Sequence, residues 1–217
     1  MGNETSGHKK TKPKAQDFYD RIADVHHLAM KVNGYRSSVA KYLKSLDIEI
    51  GPDSLVLDAG SGTGIITLAF HATGFKPKRI VALDLSMKSL KVAREEFSKQ
   101  KRRAKLTELI QSNVLKMPFG NATFDLVLTC GVLEYTPLDE GLNELSRVLK
   151  PGGRLVLVPV KPSIVGSVLE LLYNFKLHPA EKVRKAASKY FHILDDYEFP
   201  ITEPIGWSKM IFLLEKK

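Results

Sequence analysis

Leu55-Val-Leu-Asp-Ala-Gly-Ser-Gly-Thr-Gly64 (LVLDAGSGTG) is a short apolar run that breaks into three glycines at alternate positions. A strand feeding a glycine-rich turn cradles nucleotide-like ligands, because a residue without Cβ takes positive φ and lets a ligand lie against the backbone. Such a turn opens a helix whose free N–H groups face the ligand. The spacing here is GxGxG. A dinucleotide fingerprint needs GxGxxG, and position 65 is Ile; a P-loop needs GxxxxGK[ST], and no lysine follows Gly64. Asp58, just before the turn, would repel a pyrophosphate and suits a ligand with positive charge, such as an amino group or a sulfonium. Asp84 closes the next apolar run, where an acid accepts both hydroxyls of a ribose. A nucleoside with positive charge and no phosphate describes S-adenosylmethionine.

Outward from this stretch, apolar runs alternate with helical periodicity. Strands are expected over 54–59, 79–85, 106–112, 124–130 and 153–160, with helices over 63–73, 86–99 and 138–149 between them. Thr63 and Ser86 are candidate caps. The third helix stops at Lys150-Pro-Gly-Gly153. Beyond Val160 the pattern changes. Ser163–Phe175 (SIVGSVLELLYNF) and Ala180–Tyr190 read as helices, and 191–199 and 207–214 as strands joined without a helix. The expected fold is α/β: a Rossmann-like, doubly wound seven-stranded sheet with its last two strands antiparallel and helices on both faces. Asp17–Met30 and Arg36–Leu46 read as two helices ahead of the sheet. This divides the chain into a disordered basic tail over 1–16, N-terminal helices over 17–50 that cover the ligand site, and the main domain over 51–217.

The 217 residues are 43% hydrophobic and 26% charged, an ordinary balance for one globular domain. No apolar run is long enough to span a bilayer, and the N-terminus has no apolar signal core, so a cytoplasmic protein is expected. A single cysteine, Cys130, excludes an intrachain disulfide and a cysteine-cluster zinc site, and no HExxH occurs. No metal is expected. Much of the net charge of +9 sits in Lys9–Lys14 and Lys99–Lys105. These read as a solvated tail and a solvated helix end. The alternative is attraction to anionic lipid or nucleic acid.

Taken in order, the motifs resemble the class I S-adenosylmethionine-dependent methyltransferases, in their small-molecule, methyltransferase type 11-like branch, from about Phe18 to Leu157. LDAGSGTG resembles the family's first motif. LDLSMKSLKVA, from Leu83, resembles the second, which implies Asp84 on the ribose with Leu85 and Met87 flanking the adenine. SNVLKMPF, from Ser112, resembles the third, with Asn113 where the family most often has Asp. Phe124–Leu157 resembles the fourth and fifth. FYDRIADVHH, from Phe18, resembles a segment that folds over the cofactor, with His26-His27 replacing Tyr-Asp. The resemblance implies a cofactor site made of Tyr19, Asp58, Ala59, Gly60, Ser61, Gly62, Gly64, Asp84, Leu85, Met87, Asn113, Val114, Cys130 and Gly131, holding S-adenosyl-L-methionine.

Methyl transfer needs alignment more than a fixed triad. A base helps only where the acceptor must lose a proton. Glu134 and Tyr135, after the fourth strand, are the candidates, with a structural hydrogen bond as the other reading of Glu134. Cys130 reads as a small strand residue. His26, His27, Tyr19 and Tyr35 are candidates to line the acceptor pocket, or else core and surface residues. Ser163–Phe175 reads as core packing, or as a lid whose apolar face meets a lipid-like acceptor. The expected activity is methylation of a small or lipid-like acceptor, a quinone precursor or phospholipid foremost, with peripheral contact to an anionic membrane surface. RNA or protein is the alternative acceptor. The readings from other classes are an NAD(P)-dependent oxidoreductase and a non-catalytic S-adenosylmethionine-binding module.

Overall fold

The computed structural model describes residues 34–46, 48–99 and 105–217. The tail over 1–16, the expected helix Asp17–Met30 and most of the second basic stretch lie outside the described residues. In chain order the elements are α1 (Tyr35–Ser45), β1 (Leu55–Ala59), α2 (Ile65–Thr73), β2 (Arg79–Asp84), α3 (Met87–Ser98), β3 (Thr107–Gln111), β4 (Phe124–Cys130), α4 (Leu138–Val148), β5 (Leu149–Val158), α5 (Ile164–Tyr173), α6 (Ala180–Ala187), β6 (Phe191–Glu198) and β7 (Met210–Lys216). The sheet order is β3-β2-β1-β4-β5-β7-β6. β1 to β5 are parallel, and β7 runs antiparallel to both β5 and β6.

The parallel strands are apolar almost throughout because both sheet faces are covered. Alternation along each strand assigns its side chains to one face or the other. Leu57, Val127, Leu155 and Phe212 enter a core with Leu142 and Leu145 of α4 and Val183 of α6. Their neighbours Val56, Leu126, Val156 and Ile211 enter a second core with Val39 and Leu43 of α1 and Ile66 and Phe70 of α2.

Three local expectations change and one holds. α2 begins at Ile65 with Gly64 as its N-cap, and Thr63 does not cap it. Ser86 does cap α3, accepting from Ser89 N–H at 3.1 Å. β5 starts at Leu149, because Leu149 still pairs with Phe124 before Lys150–Gly153 bulges out and pairing resumes at Leu126 and Arg154. The last strand starts at Met210, since Pro204–Trp207 forms a 3-10 turn and Trp207 donates its indole N–H to Ile201 O at 2.7 Å.

The largest difference is α5. Its composition reads as core, yet Ile164, Val168, Leu171 and Leu172 are exposed, at 88%, 51%, 84% and 62%, and Gly166 is its only buried residue. The helix is tied to the sheet edge mainly through its ends. Ser163 caps it, accepting from Gly166 N–H at 2.9 Å and donating to Trp207 O at 2.6 Å, while Tyr173 O accepts from Tyr135 Oη at 3.3 Å. Among the described residues no helix is long and apolar enough to cross a membrane.

Candidate functional site

Strand order reverses between β1 and β4, and a cavity of about 240 Å³ opens beyond the carboxyl ends of the strands there. Four loops line it: Gly60–Thr63 with the first turn of α2, Leu83–Ser86 after β2, Ser112–Leu115 after β3, and Cys130–Val132 with Tyr135 and Thr136 after β4.

The glycine turn explains its own spacing. Gly60, Gly62 and Gly64 have φ of 73°, 53° and 82°. A Cβ on Gly60 would lie 2.1 Å from Val132 Cγ2, and one on Gly64 would lie 2.5 Å from the Phe97 ring. Those two glycines let the turn pack against the β4 loop and α3. A Cβ on Gly62 meets no protein atom within 4 Å, and Gly62 lines the cavity. Its bare edge is left to a ligand.

Asp84 organises the turn. Its Oδ2 accepts from Gly62 N–H and its Oδ1 from Ser86 N–H, both at 2.8 Å. Gly60 and Ser61 N–H both reach Leu83 O at 2.8 Å. Asp84 therefore lines the cavity with a carboxylate fixed by two backbone donors, a group whose oxygens can accept from hydroxyls.

Asp58 is placed differently from its sequence reading. It is wholly buried and does not line the cavity. Its Oδ2 accepts from Thr67 N–H at 3.0 Å and Thr67 Oγ1 at 2.6 Å, so it caps α2 from the preceding strand. Its Oδ1 has no hydrogen-bond partner among the described residues. Burial pushes its pKa up to about 7, against the hydrogen bonds from Thr67, so at neutral pH it is far from a full negative charge.

Of the other residues named from sequence, Ser61, Leu85, Asn113, Val114, Cys130 and Gly131 line the cavity. Ala59 is buried in the core, and Met87 is 43% exposed and off the lining. Asn113, on the cavity lining, already accepts from Leu115 N–H at 2.9 Å through its Oδ1. Tyr19, Phe18, His26 and His27 lie outside the described residues; Tyr35 is buried in the α1 core.

Glu134 is buried, and its Oε1 accepts from Val160 N–H at 2.5 Å, away from the cavity lining. Tyr135 does line it; besides donating to Tyr173 O it meets Phe175 edge-on, with ring centroids 5.5 Å apart. Burial pushes the Cys130 thiol pKa up, opposed by the nearby charge of Lys209. Lys209 was not singled out from sequence. It is not itself a lining residue, but its Nζ comes to Gly131, which is, through the pairing of segments far apart in sequence, a signal no local pattern carries. Among the described residues no cluster of three or more His, Cys, Asp or Glu is placed to hold a metal.

A parallel sheet with this order, a closing antiparallel strand, and a GxGxG turn braced by an acid at the tip of β2 defines the class I S-adenosylmethionine-dependent methyltransferases. The chain resembles that class in fold and in site. Residues 57–157 match the family described as a methyltransferase domain. The chain is 32% identical over 167 residues to the ubiquinone/menaquinone biosynthesis C-methyltransferase UbiE of Shewanella baltica (strain OS155 / ATCC BAA-1091), covering 72% of this chain and 65% of that protein. It is 26% identical over 166 residues to the demethylmenaquinone methyltransferase of Bacillus cereus (strain B4264), covering 75% of this chain and 69% of that protein. The chain thus spans just under two thirds of the Shewanella relative's length. In fold it is similar to the putative methyltransferase of Haloferax volcanii solved in complex with the Trm112 methyltransferase activator. That match has TM-score 0.73 and 18% identity, and covers 94% of this chain and 97% of that one. A geranyl diphosphate C-methyltransferase from Streptomyces coelicolor A3(2) gives TM-score 0.69 at 18% identity, covering 83% and 77%.

Proposed function

We propose that the chain is an S-adenosylmethionine-dependent methyltransferase whose acceptor is a lipid-like quinone precursor. The observation that carries this reading is the pairing of two unlike halves in one cavity. On one side are Gly62, Asp84 and Asn113, which suit a nucleoside. On the other are Cys130, Val132 and Tyr135, which suit an apolar acceptor. The residues present fit the cofactor on structural grounds: Gly62 leaves open the space a Cβ would take, and Asp84 is held by two backbone donors on the cavity lining.

When bound, S-adenosylmethionine supplies a methyl group on a sulfonium, transferred by in-line displacement. The protein's contribution is to hold the partners in line, worth roughly 7–11 kcal/mol when alignment is good. Asp84 and the Gly60–Gly64 turn fix the nucleoside, and the β4 loop fixes the acceptor. Glu134 holds Val160 N–H and orients the β4–β5 edge, so it serves as a positioning residue.

Support for a lipid-like acceptor comes from α5. Its last turn and Phe175 adjoin Tyr135 on the cavity wall, while its exposed side chains Ile164, Val168, Leu171 and Leu172 offer an apolar face beside exposed Lys176. A short apolar helix with flanking cations suits an anionic lipid surface. The quinone methyltransferases among the relatives agree with such an acceptor. The Haloferax complex motivates a second reading, in which the same face docks an activator protein.

The test is transfer of labelled methyl from S-adenosylmethionine to demethylmenaquinone kept reduced, in anionic lipid vesicles. Label in the quinol supports the reading. Bound cofactor with label in RNA or protein alone, or nowhere, overturns the acceptor.

A further inference from the structure

Lys209 has no part in the reading above, and its setting is unusual for a lysine. It is 7% exposed and stands just before β7, bridged antiparallel to Val160. Because β7 runs against the parallel strands, its first residues lie at the edge where those strands end. Its ammonium Nζ lies 3.0 Å from where a Cβ on Gly131 would be, and Gly131 lines the cavity. Among the described residues no carboxylate pairs with it. The titratable groups acting on the same wall are the Cys130 thiol, Glu134 and Asp58. Glu134 Oε1 accepts from Val160 N–H and Asp58 Oδ2 from Thr67, while Glu134 Oε2 and Asp58 Oδ1 are buried with no hydrogen-bond partner among the described residues, and neither carboxylate forms an ion pair with Lys209. An ammonium on so largely buried a residue, with no carboxylate in ion-pair contact among the described residues, gains from an anion placed beside it.

We propose that Lys209 is the anion-holding residue of the pocket, its ammonium pairing with an oxyanion of the bound ligand beside Gly131. The proposal rests on the methyltransferase reading and deepens it. It names the acceptor class as a weak acid whose conjugate base is the nucleophile, as in a phenol or hydroquinone. A nearby cation favours the charged form and so raises the fraction of phenolate at neutral pH. S-adenosylmethionine would bring one other oxyanion to the cavity, the carboxylate of its amino-acid end, and the two sources are separable.

The probe is 4-nitrophenol, whose anion is coloured, titrated against protein saturated with S-adenosylhomocysteine. In the wild type the bound phenol ionises about one pH unit or more below the free phenol. Lys209→Met removes that shift, and Lys209→Arg keeps most of it. Calorimetry with S-adenosylhomocysteine and with 5′-methylthioadenosine, which lacks the carboxylate, gives the second arm. A loss of about tenfold or more for the first ligand alone in Lys209→Met assigns the oxyanion to the cofactor. An unchanged affinity with a lost phenol shift assigns it to the acceptor. Both results support an anion-holding Lys209; the first overturns the phenolic acceptor and the second supports it. Thermal melting checks that Lys209→Met is folded; Lys209→Gln replaces it where it is not. The proposal is overturned if neutral variants change neither the phenol ionisation nor the cofactor affinity. It falls equally if the wild type binds S-adenosylhomocysteine but no phenol while Lys209→Met keeps full affinity, an outcome that leaves the methyltransferase reading standing. A wild type that binds no S-adenosylhomocysteine removes both.

Discussion

The three glycines of one turn have separable consequences. Gly60→Ala drives a methyl into Val132 in a left-handed backbone, so overpacking and φ strain together destabilise by about 2–4 kcal/mol. Gly62→Ala carries only the φ strain, about 1–2 kcal/mol, and its methyl occupies the space left for ligand. Chemical denaturation and calorimetry together show the contrast: Gly60→Ala loses mainly stability, and Gly62→Ala loses about tenfold or more in S-adenosylhomocysteine affinity. Equal effects on both quantities at both sites would remove the assignment. Asp58 makes a prediction in pH. Its folded-state pKa of about 7 lies above the ordinary aspartate value of 3.8, so the folded state holds the proton longer. This group's favourable contribution is complete below 3.8 and is lost as pH rises to about 7, at about 1.4 kcal/mol per pH unit. Asp58→Asn keeps an acceptor for Thr67 and abolishes that slope. The stability difference between wild type and variant should therefore move by about 2–3 kcal/mol between pH 5 and 7.5, in favour of the variant at the higher pH. A constant difference would mean that Asp58 ionises normally.

Elements differ in how plainly their sequences announce them. The parallel strands were legible because burial on both faces makes them continuous apolar runs, and β4 matches its expected bounds residue for residue. The GxGxG turn was legible because its glycines stand within five residues of one another. Asp58 was not, since its partner is Thr67, and only the folded turn brings that N–H over the carboxylate. Lys209 was further hidden: its distance to Gly131 is set by the β5–β7 pairing across the sheet. α5 shows the limit of composition. An evenly apolar helix reads as core, yet this one leaves most of its large side chains in solvent. That exposure predicts a clean separation of function from stability. Leu171→Asp with Leu172→Asp removes two exposed side chains, so the melting temperature should hold within a few degrees. Sedimentation with anionic vesicles should fall several-fold. Unchanged vesicle binding would turn the face toward the activator-docking reading.

At the scale of the molecule, the cavity stands where strand order reverses, and its wall comes from the loops after β1, β2, β3 and β4 together. A ligand seated there touches both sides of the reversal and is bound only while the whole parallel sheet is intact. Ligand binding and global unfolding are therefore linked, and the linkage has a size. At a hundred times its dissociation constant, a ligand bound only by the folded state adds about 2.7 kcal/mol. For a chain of this length, each kcal/mol moves the melting temperature by about 2–4 °C. Saturating S-adenosylhomocysteine should thus raise the melting temperature by about 5–11 °C. NAD should leave it unmoved, since Ile65, a buried residue on the cavity lining, stands where a dinucleotide turn needs glycine. Combining Gly62→Ala with the ligand series completes the argument: the variant's own melting point falls slightly, and most of its response to S-adenosylhomocysteine disappears. A rise of equal size with NAD, or a Gly62→Ala protein that responds as fully as the wild type, would move the nucleoside site away from this turn.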